Sequence, residues 1–588
     1  MRKYVTLQNI FVVAILLVSG CIHDNKLSQV TVHEISDADQ LNPYNYQSAE
    51  AGYLIDKIFQ QLLNIDHKTL NLVGVLAKDI PETATDSSGK KLLLTYRLRP
   101  ETKWDNGEPI TAKDVDFSLK VFKNPKVNDE RQRDYFNFIQ DIKLYADSPK
   151  KFTLICTGGY MLSIPASGSF PIIPQYVYDP QHIMDGYTLK QLSDTNQTKQ
   201  LSLDPKIIAF ADSFNSVKFQ RNPKFIVGSG AYSVEQWLPN QRLILARKHT
   251  WYGNALNGDN ANDYFRAYPD KLIYETINDE ATALVALKAG KVDVMYGIKP
   301  KNFVDMQKDD NVTKKYNLST PVSLQYSYLG LNMHNPKLAD VRVRQALAHL
   351  LDVDRIIKQV GYGLGQRTIG AVNPSKKSEY NDTIKPYDFN IDKAKKLLAD
   401  AGWTDSDGDG ILDKKINGIK MPLHITIYYN TGNDQRRDGC LIFKEDARKA
   451  GIDVDVVSIE WSVFLQKLRK HDFEMYYGAW VSSPVDEDLD QIWSTASQQG
   501  GDNYVYFGDA KTDALIQQVK TELDQNKRNE LYKQFQVITH EQVPYIFIYS
   551  QLEKIAISKR FTNAEPSSLR PGFWEPGFRT TELPSSAN

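Results

Sequence analysis

The 588-residue chain has little cysteine: Cys21, Cys156 and Cys440 are all of it. Cys156 and Cys440 stand 284 positions apart, in segments read as different lobes, so no disulfide is expected and both read as buried apolar thiols. An excess of charge of one sign is missing too. With 71 basic against 72 acidic residues, the electrostatic footprint of a nucleic-acid binder is absent. No internal repeat or low-complexity tract occurs. Beyond residue 20 no apolar run approaches the roughly 20 residues of a membrane-spanning helix. The ten histidines are scattered, and there is no His-Glu-x-x-His helix, Gly-x-Ser-x-Gly elbow or phosphate-cradling Walker loop. Gly361-Tyr362-Gly363-Leu364-Gly365 lacks dinucleotide-fingerprint spacing and reads as a loop. Neither an enzyme nor ATP hydrolysis is expected, and no cofactor is required.

What is present begins at the N-terminus. Basic Arg2 and Lys3, an apolar Ile10–Val18 and small Ser19-Gly20 form, in order, a secretory signal. Val18-Ser19-Gly20-Cys21 resembles the bacterial lipobox, which implies cleavage after residue 20 and lipidation of Cys21. Residues 21–30 then form a short tether. Removal of residues 1–20 takes Arg2 and Lys3, leaving 69 basic against 72 acidic residues, and that balance suggests no strong attraction to anionic lipid.

At about 565 residues the remainder exceeds what one core serves, so two or three lobes are expected. Alternating apolar residues predict strands at Val30–Ile35, Leu92–Leu98, Ala231–Trp237, Leu243–Arg247, Tyr326–Asn332, His424–Tyr429 and Val454–Ile459, and Tyr545–Tyr549 reads as a buried one. Helical spacing predicts helices at Ala51–Leu63, Glu280–Ala289, Val341–Leu351, Ile391–Ala401, Thr512–Leu523 and Arg528–His540. Thr111, with Asp114 three positions on, predicts a capped helix through Leu119. The alternation gives an α/β class.

Five stretches in register carry a resemblance. They are Leu41-Asn42-Pro43 with Ile58–Leu63; Tyr96–Pro100 with Lys103-Trp104-Asp105-Asn106-Gly107-Glu108-Pro109; Val227–Tyr232 around Gly228 and Gly230; Ala286–Asp293; and Asp340–Leu347 with Leu351-Asp352. Together the chain resembles the bacterial extracellular solute-binding proteins of family 5. Each stretch also has a structural reading in turns, tight backbone approaches and helix caps. The resemblance implies a two-lobed periplasmic-binding-protein type II fold with two hinge strands and an extra subdomain in lobe one. On that plan lobe one is 31–64, 216–309 and 506–588, the inserted subdomain 65–215, and lobe two 310–505. The hinges would fall near Gln325–Gly330 and Tyr476–Trp480. The implied function is capture of a peptide or peptide-like solute between closing lobes, outside the cytoplasm, by a monomer that serves membrane-embedded ABC permease subunits. A non-transporting sensor, or a binder of a metal chelate, haem or sugar-derived ligand, shares the same fold.

The resemblance also points to ligand residues. Peptide-binding relatives carry an Asp shortly after the Trp equivalent to Trp480, and it pairs with the ligand amine. Here Ser482 and Ser483 stand there, which leaves Asp486, Glu487 or Asp488 to substitute; alternatively these acids form a solvated loop or cap Leu489–Trp493. Trp480 and Trp493 are expected as walls, with Asn503, Tyr44 and Tyr232 as further cleft candidates. Separately, Asp405, Asp407, Asp409, the Ile411 carbonyl and Asp413 match positions 1, 3, 5, 7 and 9 of a calcium loop, while Ile416 stands where the bidentate Glu would be. A structural calcium ion is the expectation there, with a charged surface hairpin as the other reading.

Overall fold

The computed structural model describes residues 28–129, 136–257 and 262–581. Cys21, the signal segment and most of the tether lie outside them. Two mixed sheets organise the rest. The first holds seven strands in the order Tyr316–Ser319, Ile555–Ser558, Val294–Met295, Gln29–Glu34, Lys271–Thr276, Arg242–Arg247 and Tyr232–Leu238. The second holds six, in the order Gly365–Arg367, Tyr545–Leu552, Val322–Leu331, Met475–Val481, His424–Asn430 and Asp453–Ile459. A separate four-stranded sheet of Glu82–Thr85, Lys91–Arg97, Lys151–Thr157 and Ile139–Leu144 lies within residues 65–215, the stretch expected as an inserted subdomain. Its core is continuous with that of lobe one through Tyr44, Leu94, Phe122 and Phe214.

The recurrent motifs hold the fold together. Asp114 accepts from the Thr111 backbone N–H at 2.7 Å and from Trp104 Nε1 at 3.0 Å, so one carboxylate ties the Asn106-Gly107 turn to the start of helix Ala112–Lys123. Gly107 sits at φ +89°, where a side chain would be strained. Gly228 and Gly230 serve a different purpose: a Cβ on either would meet a backbone oxygen, of Ile58 or Lys57, at 2.3 Å. They let the strand edge press against the end of helix Ala49–Ile58. Arg344, only 2% exposed, donates to the carbonyls of Leu338, Ala339 and Gln542 and locks the start of helix Val341–His349 to the end of Gln525–Gln542. Cys156 and Cys440 are free and buried in separate cores, and burial pushes each thiol up to about 12.

The lobe boundaries differ from the expected ones. Gln325–Gly330 and Tyr476–Trp480 are not hinges; they pair with each other inside the second sheet. The chain crosses between sheets at 320–321 and again at 553–554. Residues 310–319 therefore belong with lobe one. Residues 506–552 belong with lobe two, because Tyr545–Leu552 pairs with Val322–Leu331 and helices Ala510–Thr521 and Gln525–Gln542 bury Ile516, Val519, Tyr532 and Phe535 against that sheet. Only Ile555 onward returns to lobe one.

Gly230→Ala is expected to lower unfolding free energy by about 3 kcal/mol through forced backbone displacement. Urea melts of the variant and the parent measure it, and a loss below about 1 kcal/mol would remove the close-approach argument.

Candidate functional site

Strand directions place the site. Ile555–Ser558 is antiparallel to Val294–Met295 and to Tyr316–Ser319, while Gln29–Glu34 is parallel to Val294–Met295 and Lys271–Thr276. Both crossings therefore lie at the carboxyl ends of those parallel strands. In lobe two, Val322–Leu331 is antiparallel to Met475–Val481, which runs parallel to His424–Asn430 and, through it, to Asp453–Ile459. Their carboxyl ends also face the crossings. Open α/β sheets bind ligands outside such ends, and here two sets oppose each other across the hinge. The apolar side chains left exposed there are Ile35 (60%) on lobe one and Val481 (61%), Trp461 (50%) and Val463 (43%) on lobe two.

On the lobe-one side a cavity of about 420 Å³ is lined by His33, Ile35, Ile277, Asn278, Tyr296 and Lys299, among others. Beside it Glu34 accepts from the Tyr296 hydroxyl, and burial pushes its carboxyl up to about 8. On the lobe-two side Asn430 Oδ1 accepts from Arg436 Nη1 at 2.8 Å, and the guanidinium lies over the Tyr477 ring, 5.9 Å from its centroid. Trp480 is half-buried, and its Nε1–H points to the Tyr545 hydroxyl at 3.3 Å. Ser482 is buried and donates its N–H to the Leu324 carbonyl. The Ser483 N–H donates to Glu487 Oε1 at 2.6 Å, so the Glu487 carboxylate folds back to the Ser482–Ser483 corner. Burial pushes that carboxyl up to about 7, against the pull of Lys376, which itself bonds Glu379 at 3.4 Å and the Val485 carbonyl.

The other expected ligand residues have different partners. Asp486 is held by Arg528 at 2.6 Å and by Gln525, so it is no free acid. Asp488 accepts from the Tyr160 hydroxyl at 2.8 Å, a contact between the inserted subdomain and lobe two. Met161 N–H donates to the Lys520 carbonyl beside it. Trp493 is 1% exposed and packs against Phe507, Phe535 and Tyr545, a core residue rather than a wall. Asn503 braces its own loop through Ser494 and Phe507. Tyr44 and Tyr232 are in the lobe-one core, with hydroxyls bonded to the carbonyls of Pro171 and Pro269. Sequence reading missed Ile35, Tyr296, Asn430, Arg436 and Trp461. Most of these stand within a residue or two of a strand's carboxyl end, which is the signal that could have found them.

In the aspartate loop, oxygens of Asp405, Asp407 and Asp413 lie within 4.8 Å of one another. Asp409 turns instead to the Ile411 N–H, and Lys420 Nζ reaches Asp407 at 2.6 Å and Asp413 at 3.2 Å. Asp405 accepts from Gly408 and Gly410, and Asp413 from Ser406, so the loop is internally braced.

Two α/β lobes opposing their strand ends across paired crossings define the class of two-lobed binding proteins. The family described as bacterial extracellular solute-binding proteins, family 5 middle, matches residues 71–502, and the chain belongs to it. The oligopeptide-binding protein AppA of Bacillus subtilis is 26% identical over 509 residues, covering 86% of this chain and 83% of that protein. The dipeptide-binding protein of Escherichia coli is 27% identical over 472 residues, 77% of each. Among solved structures, HbpA2 from Haemophilus parasuis has a TM-score of 0.73 at 20% identity, covering 94% of this chain and 100% of that one.

The raised Glu34 carboxyl has a consequence for stability. The folded state holds this proton more tightly than the unfolded chain, so its stabilisation is complete below the ordinary glutamate value of 4.5 and is lost as pH rises through about 8. Melting temperature should fall between about pH 5 and 8.5, and Glu34→Gln should flatten that slope. An unchanged slope would show that Glu34 does not carry it.

Proposed function

We propose that the chain is the extracytoplasmic, lipid-anchored substrate-binding subunit of an ABC importer, and that it takes a peptide or peptide-like solute carrying an ammonium group. The observation that carries the reading is the Glu487 carboxylate, folded against Ser483 N–H at the cleft end of Met475–Val481. A desolvated carboxylate suits an ammonium. The peptide-binding names of the two relatives agree with this. Closure would follow from the ligand's preference for the closed lobes, and the Tyr160–Asp488 contact is one that closing lobes would make or break. Acyl chains on Cys21 would hold the monomer near its permease and raise its effective concentration there.

Calorimetry against di- to penta-peptides tests the reading. Saturating peptide at about a hundredfold excess over Kd should add about 2.7 kcal/mol of stability. If no peptide shifts stability while a haem, metal chelate or sugar does, the substrate class is wrong. Peptides with a free amine should bind about tenfold or more tightly than N-acetylated ones, and Glu487→Gln should erase the difference. Because Glu487 must be ionised to pair with an ammonium, affinity should rise with pH through about 7 in the parent only. Lys376 and Glu379 are the charged groups that act on it. A pH-independent affinity in the parent would remove Glu487 from the site. A metabolic acyl label lost in Cys21→Ser tests the anchor.

For the aspartate loop the expected role is structural, and calcium would have to displace the Lys420 ammonium. Millimolar calcium should therefore raise the melting temperature of Lys420→Met more than that of the parent. Equal responses in thermal melts would leave the loop a braced hairpin.

A further inference from the structure

At the amino end of strand Gln29–Glu34, opposite the hinge, lies a groove of about 730 Å³. Lys291, Lys314, Lys315, Lys559 and Arg560 line it, with Asp293 the one acid among its lining residues. That acid is already neutralised: Arg560 grips both Asp293 oxygens, at 2.7 and 2.6 Å, and also donates to the Gln29 carbonyl. Lys559 is tied by its ammonium to the Thr313 carbonyl, and Lys315 reaches the Lys288 carbonyl at 3.5 Å. These partners are neutral, and among the described residues none of the groove's four lysines forms an ion pair. Lys291, Lys314, Lys315 and Lys559 are all exposed. The net charge of the whole chain conceals this concentration of one sign.

Position gives the patch an occupant. Gln29, at the groove's edge, stands eight positions after Cys21. Eight residues span at most about 28 Å when extended, so a lipid on Cys21 brings this end of lobe one within reach of the bilayer surface. Acyl chains on Cys21 would fix the point of attachment, and a basic patch beside that point adds electrostatic attraction to an anionic surface. Each lysine near an anionic surface adds to that attraction.

We propose that this groove is a docking surface for the anionic headgroups of the membrane that carries the anchor. It rests on the Cys21 reading for its proximity to the bilayer, and its test does not depend on lipidation. The body beginning at Ser28 carries both cores and every described element. In flotation assays at low salt, vesicles with about 30 mol% phosphatidylglycerol should retain it about tenfold more than phosphatidylcholine alone, and about 0.5 M salt should release it. The combined Lys291→Glu, Lys314→Glu and Lys315→Glu variant, shown folded by an unchanged melting temperature, should float no better than on neutral vesicles. Equal retention on the two lipids, or a charge-reversed variant that floats like the parent, overturns the proposal. If inorganic phosphate raises the parent's melting temperature while vesicles retain nothing, the groove is a small-anion site and membrane docking is wrong. A missing acyl label on Cys21 overturns the anchor alone, and failure of the unlipidated body to float overturns the docking alone.

Discussion

The antiparallel pairing of Tyr545–Leu552 with Val322–Leu331 is the interaction on which the rest depends. It carries the C-terminal part of the chain into lobe two before Ile555–Ser558 returns it to lobe one. Both crossings then lie side by side, at the carboxyl ends of the parallel strands in each lobe. That placement makes a hinge and a cleft at once. Strand ends leave loops and helix starts that no sheet neighbour covers, so Ile35, Trp461 and Val481 stay exposed where a ligand would bury them.

The same geometry divides the polar groups into two kinds. Those inside a lobe are fully engaged, as Asp486 is with Arg528 and Tyr44 with Pro171. Such groups set loop shape and carry little capacity for a ligand, because breaking them strands a buried charge or hydroxyl. Those near the strand ends are held chiefly by local bonds. Glu487 on Ser483 and Arg436 on Asn430 are of this kind. The two ends of lobe one therefore differ: the hinge end holds the cavity beside Tyr296, while the opposite end gathers lysines where the tether joins.

The sheet strands and long helices were legible to within a few residues, because burial on one face imposes a period of 2 or 3.6 on the residues themselves. Thr111 with Asp114 could be read as a helix cap, since that bond is local. The signature glycines could be read as tight backbone, and Gly228 and Gly230 serve a close approach to a helix end. The hinges could not be read. Gln325–Gly330 has the pattern of a strand in any position, and its two neighbours in the sheet lie about 150 and about 220 residues further along the chain.

Residue order alone determined the α/β class and the family, because these follow from local pattern and from motifs whose groups are sequence neighbours. Tertiary structure decided which polar groups remain free. Trp493, Asn503, Tyr44 and Tyr232 look like cleft residues by type, and each is consumed by partners brought from elsewhere in the chain or by its own loop. The lysine groove was invisible for the same reason. Lys291, Lys314 and Lys559 are scattered through a chain of balanced charge, and only the sheet order that sets Ile555–Ser558 between Tyr316–Ser319 and Val294–Met295 gathers them at one edge. Coulomb interaction depends on distance in space, and distance in space is what the fold supplies.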